Sequence, residues 1–251
     1  MSTQIRSFRK LSFVQFKLFV REPLAFFFTA VFPVTLLLLF GAIWGNAPGS
    51  AGPGSPYGYV DSEVPALTGL IIATIALMSI PIATAAAREH RLLRRYRATP
   101  LSPAIYLAAD VAVYYAIALL GMIMLIVIGK IVFDMQMAGS WLSIFLAFTL
   151  SALAFIAGGY LIASLAPSER SAMVIGQLIF FPMMFLSGAA MPLFILPENI
   201  RKVSEWLPLT HVVRLLQSLW FGQGWDMTAV GVLLALLVIG TMLSIRFFRW
   251  E

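Results

Sequence analysis

The chain has 251 residues, of which 61% are hydrophobic and 11% charged, and it carries a formal net charge of +6. Soluble domains have about 25% charged residues, so the composition indicates a membrane protein. With no cysteine and only two histidines, the chain has no disulfide, no thiolate chemistry and no histidine-based metal site. Its cations flank apolar runs instead of forming a basic stripe, which argues against nucleic-acid binding.

The first 22 residues carry five cations, interleaved with aromatic and aliphatic side chains. Apolar residues on one side of a helix and cations on the other are typical of an interfacial helix that lies flat on a membrane. Pro23 then opens the first long apolar run, since proline is well tolerated in the first turn of a helix. We therefore predict an interfacial helix over residues 1–22.

Six runs are long and apolar enough to cross a bilayer, which takes about 20 residues. The predicted spans are Leu24–Trp44, Ala66–Ala87, Ala104–Gly129, Trp141–Leu165, Ala172–Met191 and Met227–Ile245. They predict an all-α integral membrane protein with a single transmembrane domain over residues 1–251. Residues 45–59 are rich in Gly, Pro and Ser and carry no cation, which predicts a flexible connector.

The cations also predict the orientation of the chain. Thirteen of the seventeen lysines and arginines lie in the N-terminal segment, the loop after the second span, the turn after the fourth span and the C-terminus. The positive-inside rule places these segments in the cytoplasm. We therefore expect a multi-pass protein of the cell (inner) membrane with both termini cytoplasmic and the flexible connector external.

The loop after the second span holds the densest charge cluster of the chain, with five arginines in ten residues. Burying five arginines in lipid would cost about 15 kcal/mol, so this loop lies in water. A short helix over residues 88–99 is predicted by the helical spacing of Glu89, Leu92, Leu93 and Tyr96. Such a helix either docks on a partner or fixes topology by lying on anionic headgroups.

The third span contains a carboxylate, Asp110, about 10 Å from its cytoplasmic start at 1.5 Å per residue. A carboxylate at membrane depth is a functional candidate by default. Tyr106 and Tyr114 lie one helical turn away on either side and are predicted to satisfy Asp110 by hydrogen bonding. The alternative is that Asp110 binds substrate or moves a proton.

The fifth span offers a candidate substrate path. Gln177 predicts a hydrogen bond between helices, while Phe181, Met184 and Phe185 form a soft surface that suits varied apolar ligands. The alternative is that these are ordinary core or lipid-facing residues. In the fourth span, close helix packing within one subunit is predicted by the small residues Ala154, Gly158, Gly159 and Ala163.

Residues 192–226 are too polar for a further span. Pro197–Leu207 and Thr210–Phe221 each place apolar residues on one helical face and polar residues on the other. Two helices of about 11 residues are too short to cross a membrane, so the pattern predicts an external hairpin that dips in against protein. Two helices floating at the interface are the alternative. His211 and Arg214 are expected to face water, with an anionic headgroup as the other candidate partner.

The order of these motifs resembles the membrane subunits of type-2 ABC exporters, which are drug, lipid and polysaccharide permeases. An amphipathic helix precedes the first span, and Glu89 is followed ten residues later by the sequence TPLS. The most specific signal is the series Phe185-Leu186-Ser187-Gly188, Pro192, Leu196-Pro197 and Trp206-Leu207-Pro208-Leu209-Thr210. The resemblance covers essentially the whole chain.

The resemblance implies a role for each segment. Residues 1–22 would be the connecting helix, and residues 88–99 the coupling helix that docks on an ATPase through Glu89, Leu92, Leu93 and Tyr96. The hairpin over 192–226 would be an external gate. Its candidate residues are Pro192, Pro197, Trp206, Pro208, His211, Leu215 and Leu216.

The implied function is ATP-driven export of an amphipathic drug-like or lipidic substrate, with a lipid-linked glycan as the alternative. The chain has no G-x-x-x-x-G-K-[ST] loop, so we expect it to be no enzyme and to bind no cofactor. ATP and Mg²⁺ would act through two copies of a cytoplasmic ATPase, paired with a homodimer of this permease. A secondary transporter is the competing interpretation. It would need internal repeats and more intramembrane carboxylates than Asp110, the only one predicted.

Overall fold

The computed structural model describes residues 3–51, 56–91, 103–191 and 196–247. Nine helices lie in these ranges. In chain order they are α1 (Thr3–Arg21), α2 (23–44), α3 (Tyr59–Glu89), α4 (Pro103–Phe133), α5 (Trp141–Leu165), α6 (Glu169–Leu186), α7 (Glu198–Ser204), α8 (Pro208–Trp220) and α9 (Met227–Phe247).

Six of these helices, α2 to α6 and α9, are long and apolar enough to cross a membrane. The six predicted spans are therefore confirmed, with ends that shift by up to seven residues. The two largest shifts are in α3 and α6. Helix α3 begins at Tyr59 instead of Ala66, and α6 ends at Leu186 instead of Met191. The predicted N-terminal helix is also present as α1. Several of its apolar side chains, such as Phe13 and Leu18, are exposed on the surface of the molecule, as a membrane-facing side requires.

Helix α3 forms the centre of the bundle, and almost all of its residues from Tyr59 to Pro81 are buried. It packs against α2, α4, α5, α6 and α8. Helices α5 and α9 run along each other, while α1 packs on α4. Neighbouring helices thus cover nearly every face of α3 from Tyr59 to Pro81, whereas the other spans leave more of their apolar surface exposed.

Helices α2 and α3 each contain a short π-helical segment, Phe27–Val31 and Ile75–Ser79. In both helices a proline follows two residues later, Pro33 and Pro81. Proline has no backbone N–H to donate to the carbonyl four residues earlier. The helix widens before it, and the N–H that follows each segment bonds to a carbonyl five residues back. The π segments thus have an identifiable cause in the sequence.

The π segment of α3 lies directly against two glycines. A Cβ added to Gly159 of α5 would lie 2.2 Å from the Ala76 carbonyl oxygen, and one added to Gly176 of α6 would lie 2.2 Å from the Leu77 oxygen. Only glycine permits this approach of backbone to backbone. The close packing predicted from the small residues of α5 is confirmed, and it occurs within one chain.

The bundle has two distinct ends. The end that carries Arg21, Arg88, Arg170 and Arg246 is called the basic end below. The opposite end carries α7, α8, residues 45–51 and 56–58 and residues 134–140, and it is called the hairpin end. Because the spans alternate in direction, α1 and the last turn of α9 both lie at the basic end.

Candidate functional site

At the basic end, the last two residues of α3 hold the turn between α5 and α6. The Arg88 guanidinium donates hydrogen bonds to the carbonyls of Ala163 and Ala166, at the end of α5. Glu89 Oε2 accepts a hydrogen bond from the backbone N–H of Glu169, the first residue of α6, at 3.0 Å. A cation at a helix C-terminus and a carboxylate at a helix N-terminus both complement the helix dipole. The turn is thereby fixed to α3.

The helix predicted over residues 88–99 is wrong at its start. Arg88 and Glu89 belong to α3, and Arg91 has a φ of +56°. A residue in this left-handed region does not continue an α-helix, so α3 ends before Arg91. Leu92, Leu93 and Tyr96 lie outside the described residues, and their docking role stays a prediction.

At the hairpin end, helix α8 is deeply packed and does not float at the interface. Leu215 and Leu216 are both fully buried. On the facing side of α3, a Cβ at Gly69 would lie 3.3 Å from side-chain atoms of both Val212 and Val213. The second half of the predicted hairpin therefore rests on the central helix, with protein covering its apolar face.

The turn between α7 and α8 is closed by two side chains. Thr210 Oγ1 donates to the Ser204 carbonyl at 2.6 Å, and His211 Nε2 lies 2.9 Å from the Glu205 carbonyl oxygen. His211 is only 5% exposed. The expectation that it faces water is wrong, because its ring satisfies the backbone of this turn.

The first half of the hairpin differs more from the prediction. Helix α7 has 7 residues instead of about 11, and its predicted apolar face is exposed, with Trp206 at 87%. Pro197 precedes α7 and Pro208 is the first residue of α8, which matches the preference of proline for helix starts. Pro192 lies outside the described residues.

A polar cluster around Asp61 joins three segments at the hairpin end. Asp61 Oδ1 accepts from the Asn46 side chain at 2.9 Å and from the Gln136 backbone N–H at 2.7 Å. Its Oδ2 accepts from the Gly58 N–H at 2.9 Å, which caps α3. Asn46 in turn accepts from the Asp61 N–H at 3.1 Å. A flexible connector over 45–59 is therefore wrong for the parts described, 45–51 and 56–59.

Further contacts tie α8 to the same loops. Tyr57 stacks on Phe221 with ring centroids 4.1 Å apart, and its hydroxyl donates to the Phe221 carbonyl at 3.1 Å. Trp220 Nε1 donates to the Gln136 carbonyl at 3.2 Å. Gln217 donates to both the carbonyl and the hydroxyl of Ser62 at 3.0 Å. The hairpin end thus forms one connected polar and aromatic layer over the bundle.

Asp110 lies on α4 and is 8% exposed. Its Oδ2 accepts a hydrogen bond from the Tyr160 hydroxyl of α5 at 2.5 Å. The sequence prediction named Tyr106 and Tyr114 as the hydrogen-bonding partners and missed this donor from another helix. Tyr160 also lines an apolar cavity of about 260 Å³ between α4, α5 and α9. The pair links two spans near the basic end.

Glu63 is a second carboxylate at membrane depth that the sequence prediction missed. It lies in the second turn of α3 and is 3% exposed. Within the described ranges, Glu63 Oε1 and the Tyr59 hydroxyl have no hydrogen-bond partner by geometry. The prediction that Asp110 is the sole intramembrane carboxylate is therefore wrong, because the predicted second span began at Ala66, three residues after Glu63.

The residues of the predicted substrate path on α6 differ in how exposed they are. Met184 is buried in the core, and Gln177 is half-buried. Phe181 and Phe185 are 39% and 49% exposed, on the same outward side as Leu178. The two phenylalanines thus lie on an uncovered apolar face of the chain.

Six membrane-length helices, a hairpin packed on the central span and a charged turn at the other end define a membrane permease. The family model of the ABC-2 type transporter matches residues 6–221. The chain belongs to this family, as the sequence motifs predicted. It is therefore an integral membrane protein and a permease of the ABC-2 type transporter family.

Curated relatives match parts of the chain. Nodulation protein J of Rhizobium leguminosarum bv. viciae is 31% identical over 114 residues, covering 43% of this chain and 44% of that protein. Nodulation protein J of Bradyrhizobium diazoefficiens is 32% identical over 115 residues, covering 44% of each. "Putative transport permease YvfS" of Bacillus subtilis is 26% identical over 158 residues, covering 62% and 60%. Each match spans less than two thirds of the relative's own length.

Proposed function

We propose that this chain is the membrane-spanning subunit of an ATP-driven exporter for an amphipathic, drug-like or lipidic substrate. Membership of the ABC-2 type transporter family over residues 6–221 carries the proposal. ATP hydrolysis is assigned to a separate subunit, because the sequence has no phosphate-binding loop. On this proposal the chain is no enzyme by itself, and ATP and Mg²⁺ are held by two copies of the partner ATPase.

The connection between the two ends of the bundle supports a transport mechanism. Helix α3 ends in Glu89, which contacts the turn at the basic end, and at its other end it carries the polar cluster around Asp61. Helix α8 packs on the same helix at Gly69. A push on the basic end by an ATPase is therefore proposed to move the hairpin, which acts as the external gate.

The uncovered apolar face of α6 supports a homodimer. Leu178, Phe181 and Phe185 are large apolar side chains that the single chain leaves exposed. In a membrane such a face contacts either lipid or protein. A second copy packed there would place the two phenylalanines beside a central path between the subunits, where their soft surface suits an amphipathic substrate.

The proposed orientation has both termini in the cytoplasm of a cell with an inner membrane. Thirteen of the seventeen cations lie in the N-terminal segment, the loop after the second span, the turn after the fourth span and the C-terminal segment of the sequence. The chain has no cysteine, so single cysteines can be introduced without further changes. Gln223→Cys at the hairpin end should react with an impermeant maleimide on intact cells, and Ser168→Cys at the basic end should not. The reverse labelling pattern would refute the orientation.

The function is tested by co-purification and transport. The ATPase should co-purify with the chain from native membranes, and reconstituted vesicles should export substrate only with ATP. Leu92→Asp with Leu93→Asp should abolish ATPase binding, because interface energy concentrates in a few apolar side chains. Arg94→Ala with Arg95→Ala should do less, since rim charges mainly tune association rate.

Contrary results have defined meanings. Export without ATP, driven by an ion gradient, would refute an ABC exporter and favour secondary transport. If the arginine pair abolishes binding while the leucine pair is silent, docking is electrostatic and the assigned face is wrong. A screen of amphipathic drugs, lipids and lipid-linked glycans for stimulation of ATP hydrolysis identifies the substrate class, and stimulation by glycans alone would overturn the drug-like or lipidic assignment.

A further inference from the structure

A cavity of about 220 Å³ lies at the basic end between α1, the last turns of α3 and the first turns of α4. Its apolar wall comes from α1 and from the alanines of α3. Polar side chains line the other side; they are Gln15, Glu22, His90, Tyr106, Asp110 and Tyr114. The cavity is distinct from the proposed gate and from the exposed face of α6, because none of its lining residues belongs to those elements.

The charges in this cavity are opposite in sign to those around it. Five cations lie on α1. The four whose side chains the structure describes, Arg9, Lys10, Lys17 and Arg21, do not line the cavity. Both acidic residues that line it, Glu22 and Asp110, are carboxylates at the depth where α1 meets the spans. The interior is thus acidic although the surrounding surface is basic.

The two carboxylates could each bind a cation, but they differ in burial and in their neighbours. Asp110 is almost fully buried and oriented by the Tyr160 hydroxyl, which binds its Oδ2. Glu22 lies at the mouth of the cavity, and its pKa is raised by desolvation and then by the nearby Glu169. A raised pKa means that the charged form lacks compensation. An ammonium group in the cavity would supply it.

Another polar atom in the cavity also lacks a partner. Gln15 Oε1 is buried with no hydrogen-bond partner among the described residues, although a buried carbonyl oxygen is normally satisfied. Like the carboxylates it is an acceptor only, so it favours a ligand with N–H donors. The rings of Tyr106 and Tyr114 add faces that attract cations.

We propose that this cavity binds the ammonium group of an amphiphile, with the apolar part of the molecule along α1. Its volume exceeds the 150 Å³ or so that holds benzene in an engineered cavity, so it admits an amine head with a short apolar stem. Anionic headgroups are excluded by the two carboxylates. The proposal concerns binding and holds whether or not the amphiphile is transported.

The test measures binding of radiolabelled decylamine to the immobilised full chain in uncharged maltoside micelles, by scintillation proximity. Decanol and decanoate are the neutral and anionic probes of equal length. The wild-type chain should bind decylamine saturably and the other two at least tenfold more weakly. Asp110→Asn and Glu22→Gln should each weaken decylamine binding, Asp110→Asn by roughly tenfold or more, since hydrogen bonds to charged groups are the strong ones.

Two further variants make the result specific. Asp134→Asn removes a carboxylate at the opposite end of the bundle and should leave decylamine binding unchanged. Ala83→Phe fills the cavity while keeping both carboxylates, and should abolish binding even if Asp110→Asn fails to fold. Equal binding of decylamine and decanol, or binding unaffected by both Glu22→Gln and Ala83→Phe, would overturn the proposal.

The same assay distinguishes two sources of the ammonium group. Competition by phosphatidylethanolamine, but not by phosphatidylglycerol, would identify a lipid headgroup as the occupant. Failure of both lipids to compete, with decylamine still bound, would identify a free amine. Stronger competition by phosphatidylglycerol would contradict an acidic, cation-binding cavity.

Discussion

The contact of Gly159 with the π segment of α3 leads to a sharp prediction about a single methyl group. A Cβ at position 159 would lie 2.2 Å from the Ala76 carbonyl oxygen, whereas real Cβ atoms essentially never approach another atom within 3.0 Å. Gly159→Ala therefore requires α3 and α5 to separate by at least 0.8 Å. The Ala76 atoms that the Cβ would meet all belong to the backbone, and an alanine methyl has no other rotamer, so no side-chain rotation can relieve the clash.

The neighbouring glycine provides a matched control. A Cβ at Gly158 would meet only Leu236 Cδ1, at an ordinary 3.8 Å. Both substitutions gain about 1 kcal/mol of helix propensity, but overpacking at 159 costs about 1–3 kcal/mol. We expect Gly158→Ala to be neutral or slightly stabilising and Gly159→Ala to be destabilising, with a difference of about 1–3 kcal/mol between them.

The measurement is the unfolding of the purified protein in detergent, followed by tryptophan fluorescence and by the monodisperse fraction after heating. Gly176→Ala should behave like Gly159→Ala, because its Cβ would lie 2.2 Å from the Leu77 oxygen. If Gly159→Ala and Gly158→Ala unfold at the same point, the two helices do not approach as closely as described.

Three other substitutions test the ends of the bundle. Asp61→Ala removes the acceptor for three hydrogen bonds at 2.7–2.9 Å and should destabilise the protein by about 2–4 kcal/mol. The loop at 45–58 should then be cleaved faster by proteases. Protease resistance equal to that of the wild type would refute a stabilising role for the Asp61 cluster. Leu216→Asp places an unpaired carboxylate against α3 and should abolish assembly or export in the vesicle assay. Arg214→Ala loses only a 3.8 Å ion pair to Asp226 and should change export little in the same assay. Glu89→Ala removes the acceptor for the Glu169 N–H at the start of α6 and should lower stability by about 0.5–1.5 kcal/mol. Glu89→Gln retains an acceptor and should lose less; equal losses in thermal unfolding would argue against the contact with Glu169.

The six spans could be predicted from the sequence because each is a run of apolar residues longer than a bilayer is thick. The first two turns of α3 could not. Asp61, Glu63 and Pro65 lie before Ala66, where the predicted span began. Only the folded chain brings the Asn46 side chain and the Gln136 N–H to Asp61, where they donate hydrogen bonds to its carboxylate. The polarity of a short segment is therefore a poor guide to a helix start when the hydrogen-bond partners of its polar residues are distant in sequence.

The same limit explains the errors at the candidate sites. Asp110 was paired with the tyrosines one turn away, but its hydrogen bond comes from Tyr160, fifty residues later. The helical spacing of the sequence predicted that Glu89 and Leu92 share one face of a helix. Arg91 has a left-handed backbone conformation, so the helix that contains Glu89 ends before it. The buried face of α8 was predicted correctly. Its apolar residues repeat at helical spacing from Val212 to Leu219, about two turns, and this pattern can be recognised without knowing what the helix packs on.

The contacts of the π segment have a mechanical consequence. Side chains can change rotamer when force is applied, so a contact between side chains absorbs small displacements. Ala76 and Leu77 meet Gly159 and Gly176 through backbone atoms, which have no such freedom. A displacement of α5 or α6 at this level therefore acts directly on the α3 backbone, with no side chain between the helices to absorb it.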